Sequence, residues 1–243
     1  MAVEVVLLSS TQVFGAAPLA YARDLLGEHL AGCRTLHFAP FAMADHDAYT
    51  ARMAGLLAPF GVQTLGLHTL EARPTVEQAE ALFVGGGNTF RLLAALQRHD
   101  LLEPIRRRVL AGDLRYLGSS AGTNVACPSL RTTNDMPVVM PSSFDALGLV
   151  PFQINPHYLD PDPASTHMGE TREQRIEQFL EANDVPVLGL REGAWLRRQD
   201  QRLALGGIAG ARLFQRNQAP CELDPGADLS WLLHVEPRFD TLA

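Results

Sequence analysis

Residues 116–124 read YLGSSAGTN, two adjacent serines among small residues at the end of a short apolar run. Within it, Gly118-Ser119-Ser120-Ala121-Gly122 has the G-x-S-x-G frame, in which a serine is held on a sharp strand-to-helix turn. Small neighbours are needed there: the turn imposes strained angles on the serine, and bulky side chains two positions away would clash where strand end meets helix start. The same turn aims the backbone N–H of Ala121 at whatever Ser120 attacks, and the helix N-terminus adds partial positive charge for an oxyanion. A Gly/Ser-rich turn with no chemistry has the same local look, so the surrounding pattern must decide.

Outward from that turn, strand-like runs bounded by turn residues recur at VEVVLLSS (3–10), RTLHFAPFA (34–42), VQTLGLH (62–68), ALFVGG (81–86) and RYLGS (115–119). Helical patterns separate them, at 18–32, 47–61, 75–82 and, as one long stretch, 88–112. This alternation predicts an α/β fold, a three-layer sandwich around a mostly parallel sheet with right-handed crossovers, in one domain spanning 1–243. Ligands in such sheets sit at the carboxyl ends of strands, which is where the loops after ALFV and RYLG emerge. The second half is less regular. Pro-rich turns at 128–163 precede a helix, TREQRIEQFLEAN (171–183), then VPVLGLREG (185–193), a hairpin AWLRRQDQRLALGG (194–207), ARLFQRN (211–217) and an acidic tail expected to fray.

Composition narrows the chemistry. Of 243 residues 47% are apolar and 19% charged, which suits a packed core. All 20 basic residues are Arg, which excludes a Lys Schiff base, a Ser-Lys dyad and a phosphate-binding P-loop lysine. A net charge of −7 argues against nucleic acid, and Arg106–Arg108 reads as solvated helix surface. No apolar run reaches the roughly 20 residues that span a bilayer, so the expected location is the cytoplasm with no membrane partner. Cys33, Cys127 and Cys221 are too scattered for a disulfide framework or zinc spacing and read as buried thiols. No His-Glu-x-x-His motif occurs, and neither metal nor cofactor is expected. Spacing does not reveal the oligomeric state; a homodimer is compatible with it.

A serine hydroxyl needs a base. Among eight histidines, His157 in FQINPHY (152–158) stands at the end of a strand-like alternation, whereas His29, His37, His68 and His99 lie inside regular elements. The acid behind the base is either Asp135 in RTTNDMPVV (131–139) or Glu192 in the REG turn; triads occur in several chain orders, so spacing does not choose. VGGGNTF (84–90) offers consecutive amides entering a helix, or merely a helix-entry turn capped by Asn88 or Thr89.

With VGGGNTFRLL, GSSAGTN, TTNDMP, INPHY and GETREQRI in this order, the chain resembles the S51 family of serine peptidases from about Val3 to Phe214. The resemblance implies a class I glutamine amidotransferase-like fold and hydrolysis of dipeptides with an N-terminal aspartate. It implies Ser120 as nucleophile, His157 as base, Asp135 as orienting acid with Glu192 as the alternative, Gly87 and Ala121 as oxyanion-hole donors, and Asn88 lining the pocket. Thr171 and Gln174 form a capping-box pattern that places Arg172 in a first helical turn, where a cation opposes the helix dipole; with the resemblance, Arg172 is expected to clamp the substrate aspartate. Two alternatives stand beside this: an S51 hydrolase acting on cyanophycin-type polymers, and a non-catalytic amidotransferase-like binding module.

Overall fold

The computed structural model describes residues 2–166 and 168–241. Eleven strands are named in chain order: β1 (Glu4–Leu8), β2 (Thr35–Ala39), β3 (Gln63–Gly66), β4 (Ala81–Val84), β5 (Arg115–Ser119), β6 (Gln153–Tyr158), β7 (Val187–Arg191), β8 (Ala194–Gln199), β9 (Arg202–Gly207), β10 (Ala211–Phe214) and β11 (Cys221–Leu223). The helices are α1 (Arg23–His29), α2 (His46–Leu57), α3 (Ala72–Val76), α4 (Thr89–Arg98), α5 (Leu102–Leu110), α6 (Ala121–Asn124) and α7 (Arg172–Ala182). The central sheet runs β3-β2-β4-β5-β1-β8-β9, and a second sheet runs β11-β10-β7-β6. From β3 to β1 every pairing in the central sheet is parallel; β8 and β9 then add antiparallel strands.

Strand side chains alternate between two cores. Val6, Leu8, Phe38, Phe83 and Leu117 pack under α1 and α2 with Leu26, Met53 and Leu57. Val5, Leu7, Leu82, Val84 and Tyr116 face the other way, onto Leu92 and Leu96 of α4, Ile105 and Val109 of α5, and Leu188, Leu190 and Leu213 of the second sheet. A sheet buried on both faces needs continuous apolar strands, and β4, ALFV, is buried at every position. The layered, mostly parallel α/β expectation is met.

Local chemistry sets the helix ends. Asp45 caps α2 by accepting from Ala48 N, Asn88 caps α4 by accepting from Arg91 N, and the Thr171–Gln174 capping box forms at α7. Four expectations need correction. The helix expected at 75–82 is shorter and earlier, at 72–76, because burial claims Ala81 and Leu82 for β4. The stretch 88–112 is two helices, broken where Asp100 adopts φ 52°. Of the three thiols only Cys127 is buried; Cys33 is half-buried, and Cys221 is exposed on the edge strand β11. The tail is held in place as far as residue 241: Leu229 and Leu232 are buried, Asp240 pairs with Arg131 at 2.7 Å, and Thr241 N donates to Ala182 O at 2.8 Å.

Candidate active site

Ser120 lies between β5 and α6 with φ 54° and ψ −110°, a conformation that L-residues seldom adopt and that surrounding structure must enforce. The enforcement is visible. Ser120 N donates to Leu8 O at 3.1 Å, fixing the turn to the end of β1. A Cβ on Gly122 would sit 2.0 Å from Val84 O and one on Gly118 2.6 Å from Gly122 O, so both flanking glycines are sterically obligatory. The elbow therefore forms as its residue pattern predicts.

His157 comes from the second sheet. Its φ is 53°, and β6 shifts register against β7 between Pro156 and Tyr158, a bulge that turns the imidazole out of the strand. Its backbone N–H donates to Ser9 Oγ at 2.9 Å, and the buried Ser9 hydroxyl donates in turn to Leu190 O at 2.8 Å. Ser9 thus ties the end of β1 to both β6 and β7 directly behind the ring.

The ring bridges two groups: Nε2 lies 2.9 Å from Ser120 Oγ and Nδ1 lies 2.7 Å from Glu192 Oε1. An ionised carboxylate only accepts, so Nδ1 carries the hydrogen and Nε2 is left to accept from the serine hydroxyl. That is the tautomer a general base needs. Glu192 and Gly193 form the two-residue link that carries the chain from β7 in the second sheet to β8 in the central one. The acid therefore stands at the seam between the sheets.

Asp135 is not brought behind the ring. Its Oδ2 accepts from Thr89 N at 2.7 Å and Thr89 Oγ1 at 2.6 Å, binding the first turn of α4. The acid that reaches His157 is Glu192, the second choice at the sequence level, because Asp135 is spent on the amides that a helix start leaves open. Asn88, expected to line the pocket, has both ends of its amide engaged, Oδ1 by Arg91 N and Nδ2 by Met136 O at 2.8 Å.

Gly87 (φ 132°) and Ala121 flank Ser120, and among the described residues neither amide donates to another group. Gly86 approaches the elbow so closely that a Cβ on it would lie 2.9 Å from Ser120 Cβ. Gly86, Gly87, Ser120 and His157 line a cleft of about 200 Å³ that also includes Ser10, Tyr49 and Arg52. Arg172 is half-buried in the first turn of α7 and pairs with no carboxylate among the described residues. Burial, and then neighbouring Arg175, push its pKa down, while Asp135 opposes them. Arg52 and Ser9 escape sequence reading: Arg52 looks like any cation on an amphipathic helix, and Ser9 like the last residue of a strand.

A serine on a strained strand-to-helix turn at the carboxyl edge of a parallel sheet, with imidazole and carboxylate in line behind it, is the arrangement of a serine hydrolase. The model of Peptidase family S51 matches residues 5–206, and the chain belongs to this family of peptidases. It is 57% identical over 236 residues to peptidase E of Streptomyces coelicolor, covering 97% of each chain. It is 50% identical over 230 residues to a Drosophila melanogaster protein named "Probable alpha-aspartyl dipeptidase", covering 93% of this chain and 96% of that one. A crystal structure of a peptidase from an acI-B1 actinobacterium superposes with a TM-score of 0.66 at 17% identity, over 94% of this chain and 97% of the other, a likeness of fold. The architecture is consistent with the class I glutamine amidotransferase-like fold.

Proposed function

We propose that the protein hydrolyses dipeptides with an N-terminal aspartate through an ester on Ser120. The observation that carries this reading is the unbroken line Ser120 Oγ, His157 Nε2, His157 Nδ1, Glu192 Oε1, with contacts of 2.9 and 2.7 Å. As Ser120 Oγ adds to the scissile carbonyl carbon, its proton passes to His157 Nε2, and the carbonyl oxygen becomes an anion facing the amides of Gly87 and Ala121. Collapse breaks the C–N bond, and the departing amine takes the proton from His157. Water then adds to the ester, giving a proton to His157, which returns it to Ser120 Oγ as aspartate leaves. Glu192 holds the ring in its tautomer and stabilises its cationic form through both halves.

The preference for aspartate rests on Arg172 and on the names of the relatives. A half-buried guanidinium that pairs with no carboxylate among the described residues and stands in an unfavourable place on its helix gains most from an incoming one, and its planar fork matches a carboxylate in two parallel hydrogen bonds. Incubation of purified protein with Asp-Leu and Leu-Leu tests the reading. Cleavage of Asp-Leu alone, abolished by Ser120→Ala without loss of the folded circular-dichroism spectrum, is expected; equal rates on both peptides, or hydrolysis surviving Ser120→Ala, overturn it.

A further inference from the structure

The cleft beside Ser120 is lined by Arg52, a cation that this mechanism does not use. Arg52 projects from the second turn of α2 with its guanidinium carbon 4.9 Å from the centre of the Tyr49 ring, which orients it. Tyr49 reaches the oxyanion loop: a Cβ on Gly85 would lie 2.7 Å from its hydroxyl oxygen, and the next residue, Gly86, abuts Ser120. Arg52 therefore shares the cleft with the nucleophile. It pairs with no carboxylate among the described residues, and none of the cleft's other lining side chains is acidic.

Arg52 and Arg172, neither paired with a carboxylate among the described residues, come from different parts of the fold. Tyr49, Met53 and Leu57 of α2 pack on one face of the central sheet, whereas α4 packs on the other. Arg172 opens α7, whose Ile176 and Leu180 pack on Tyr158, Val187 and Phe214 of the second sheet, and Asp135, bound to Thr89, is one of the charges that act on it. Ser120 stands at the carboxyl end of β5. A dipeptide that begins with aspartate has a matching charge pattern, with one carboxylate on each side of the scissile bond.

We propose that Arg52 binds the free α-carboxylate of the residue that leaves, so that the cleft measures substrate length as well as reading its first residue. The proposal rests on the dipeptidase reading above and adds to it a subsite on the leaving-group side. In a longer peptide the carboxylate at that position is replaced by a neutral amide, and the charge-assisted contact is lost.

The test compares Asp-Leu with Asp-Leu carboxamide, isosteric substrates that differ by that charge. The unaltered protein should favour the free acid by about 10- to 100-fold in kcat/KM, the size of one charge-assisted hydrogen bond at a partly exposed site. Arg52→Gln should bring Asp-Leu down to the rate of the carboxamide, chiefly through KM, and Arg52→Lys should recover part of the preference. Arg52 is exposed, and an unchanged thermal midpoint would show that the variant folds. Equal rates of the unaltered protein on both substrates, or an equal loss on both in Arg52→Gln, overturn the proposal while leaving the dipeptidase reading intact. Cleavage of neither substrate by the unaltered protein overturns both.

Discussion

Glu192→Gln separates the two candidate acids. Gln is nearly isosteric and its carbonyl can still accept from Nδ1, so the substitution removes charge and little else. The carboxylate lies 2.7 Å from the ring nitrogen, with side-chain exposures of 49% for Glu192 and 37% for His157. Coulomb's law at that separation gives about 6 kcal/mol at an effective dielectric of 20 and about 1.5 kcal/mol at 80; half-exposed groups fall between, at about 3 kcal/mol. That energy supports the imidazolium formed in the transition state, so kcat should fall about 100-fold with KM little changed. Leucine release from Asp-Leu, followed by chromatography over a range of concentrations, gives both constants. Asp135→Asn should behave differently, because it loosens the start of α4: its loss of activity should come with a lower thermal midpoint. A Glu192→Gln enzyme within threefold of the unaltered rate would refute the reasoning, as would an Asp135→Asn enzyme that loses 100-fold with its stability intact.

Other expectations follow from neighbouring groups. Ser9→Ala removes the hydroxyl that accepts from His157 N and donates to Leu190 O, leaving a buried amide unpaired at a cost of about 1–3 kcal/mol; kcat should fall about 10-fold or more while KM holds, and an unchanged kcat would show that the bulge holds the ring unaided. Gly122→Ala places a methyl 2.0 Å from Val84 O, so soluble folded protein should be largely lost; a normal thermal midpoint would contradict the close packing of the elbow. Burial, followed by Arg115 and Arg197, lowers the pKa of His29 to about 3. Its folded value lies below the unfolded 6.5, so its contribution is fully present above about pH 6.5 and drains as pH falls toward 3, at up to about 1.4 kcal/mol per pH unit. Urea titrations at pH 7 and pH 5 should show a drop that His29→Gln reduces; the same drop in that variant would assign it elsewhere.

The parallel half of the fold is legible because its strands are short runs with apolar residues set off by turns and alternating with helical patterns, and β5 matches its expected bounds of 115–119. The elbow is legible for a different reason: its residue types recur at fixed short spacing, and one of its glycines, Gly118, is demanded by a contact with Gly122 O four residues on, although Gly122 itself is demanded by Val84 O on the neighbouring strand. The acid is not local. Glu192 reaches His157 only because β6 pairs with β7, which places two residues 35 positions apart at the same strand ends. Nothing in a linear pattern records that pairing, whereas Asp135, in a motif between the candidate nucleophile and the candidate base, draws attention to itself. The tail misleads in a similar way: its charged composition suggests fraying, but Leu229 and Leu232 bury against partners far away in the chain.

The division of labour at the site follows from what each element can hold still. The groups given chemical roles stand on strand ends: Ser120 after β5, His157 on β6, Glu192 after β7, with Ser9 after β1 locking the second sheet to the first. Strand ends are fixed by their ladders, and on the edge strand β6 by the added bond from His157 N to Ser9 Oγ, and in-line proton transfer tolerates little displacement. The guanidinium groups given the recognition roles come from helices, Arg52 on α2 and Arg172 on α7, with long side chains that adapt to a ligand. Substitutions at the arginines should therefore register mainly in KM and in the choice of substrate, and those at the strand ends in kcat. A set of variants in which Arg52→Gln and Arg172→Gln lowered kcat as Glu192→Gln does would show that substrate binding and ring positioning are one coupled unit, and the separation argued from the sheets would fail.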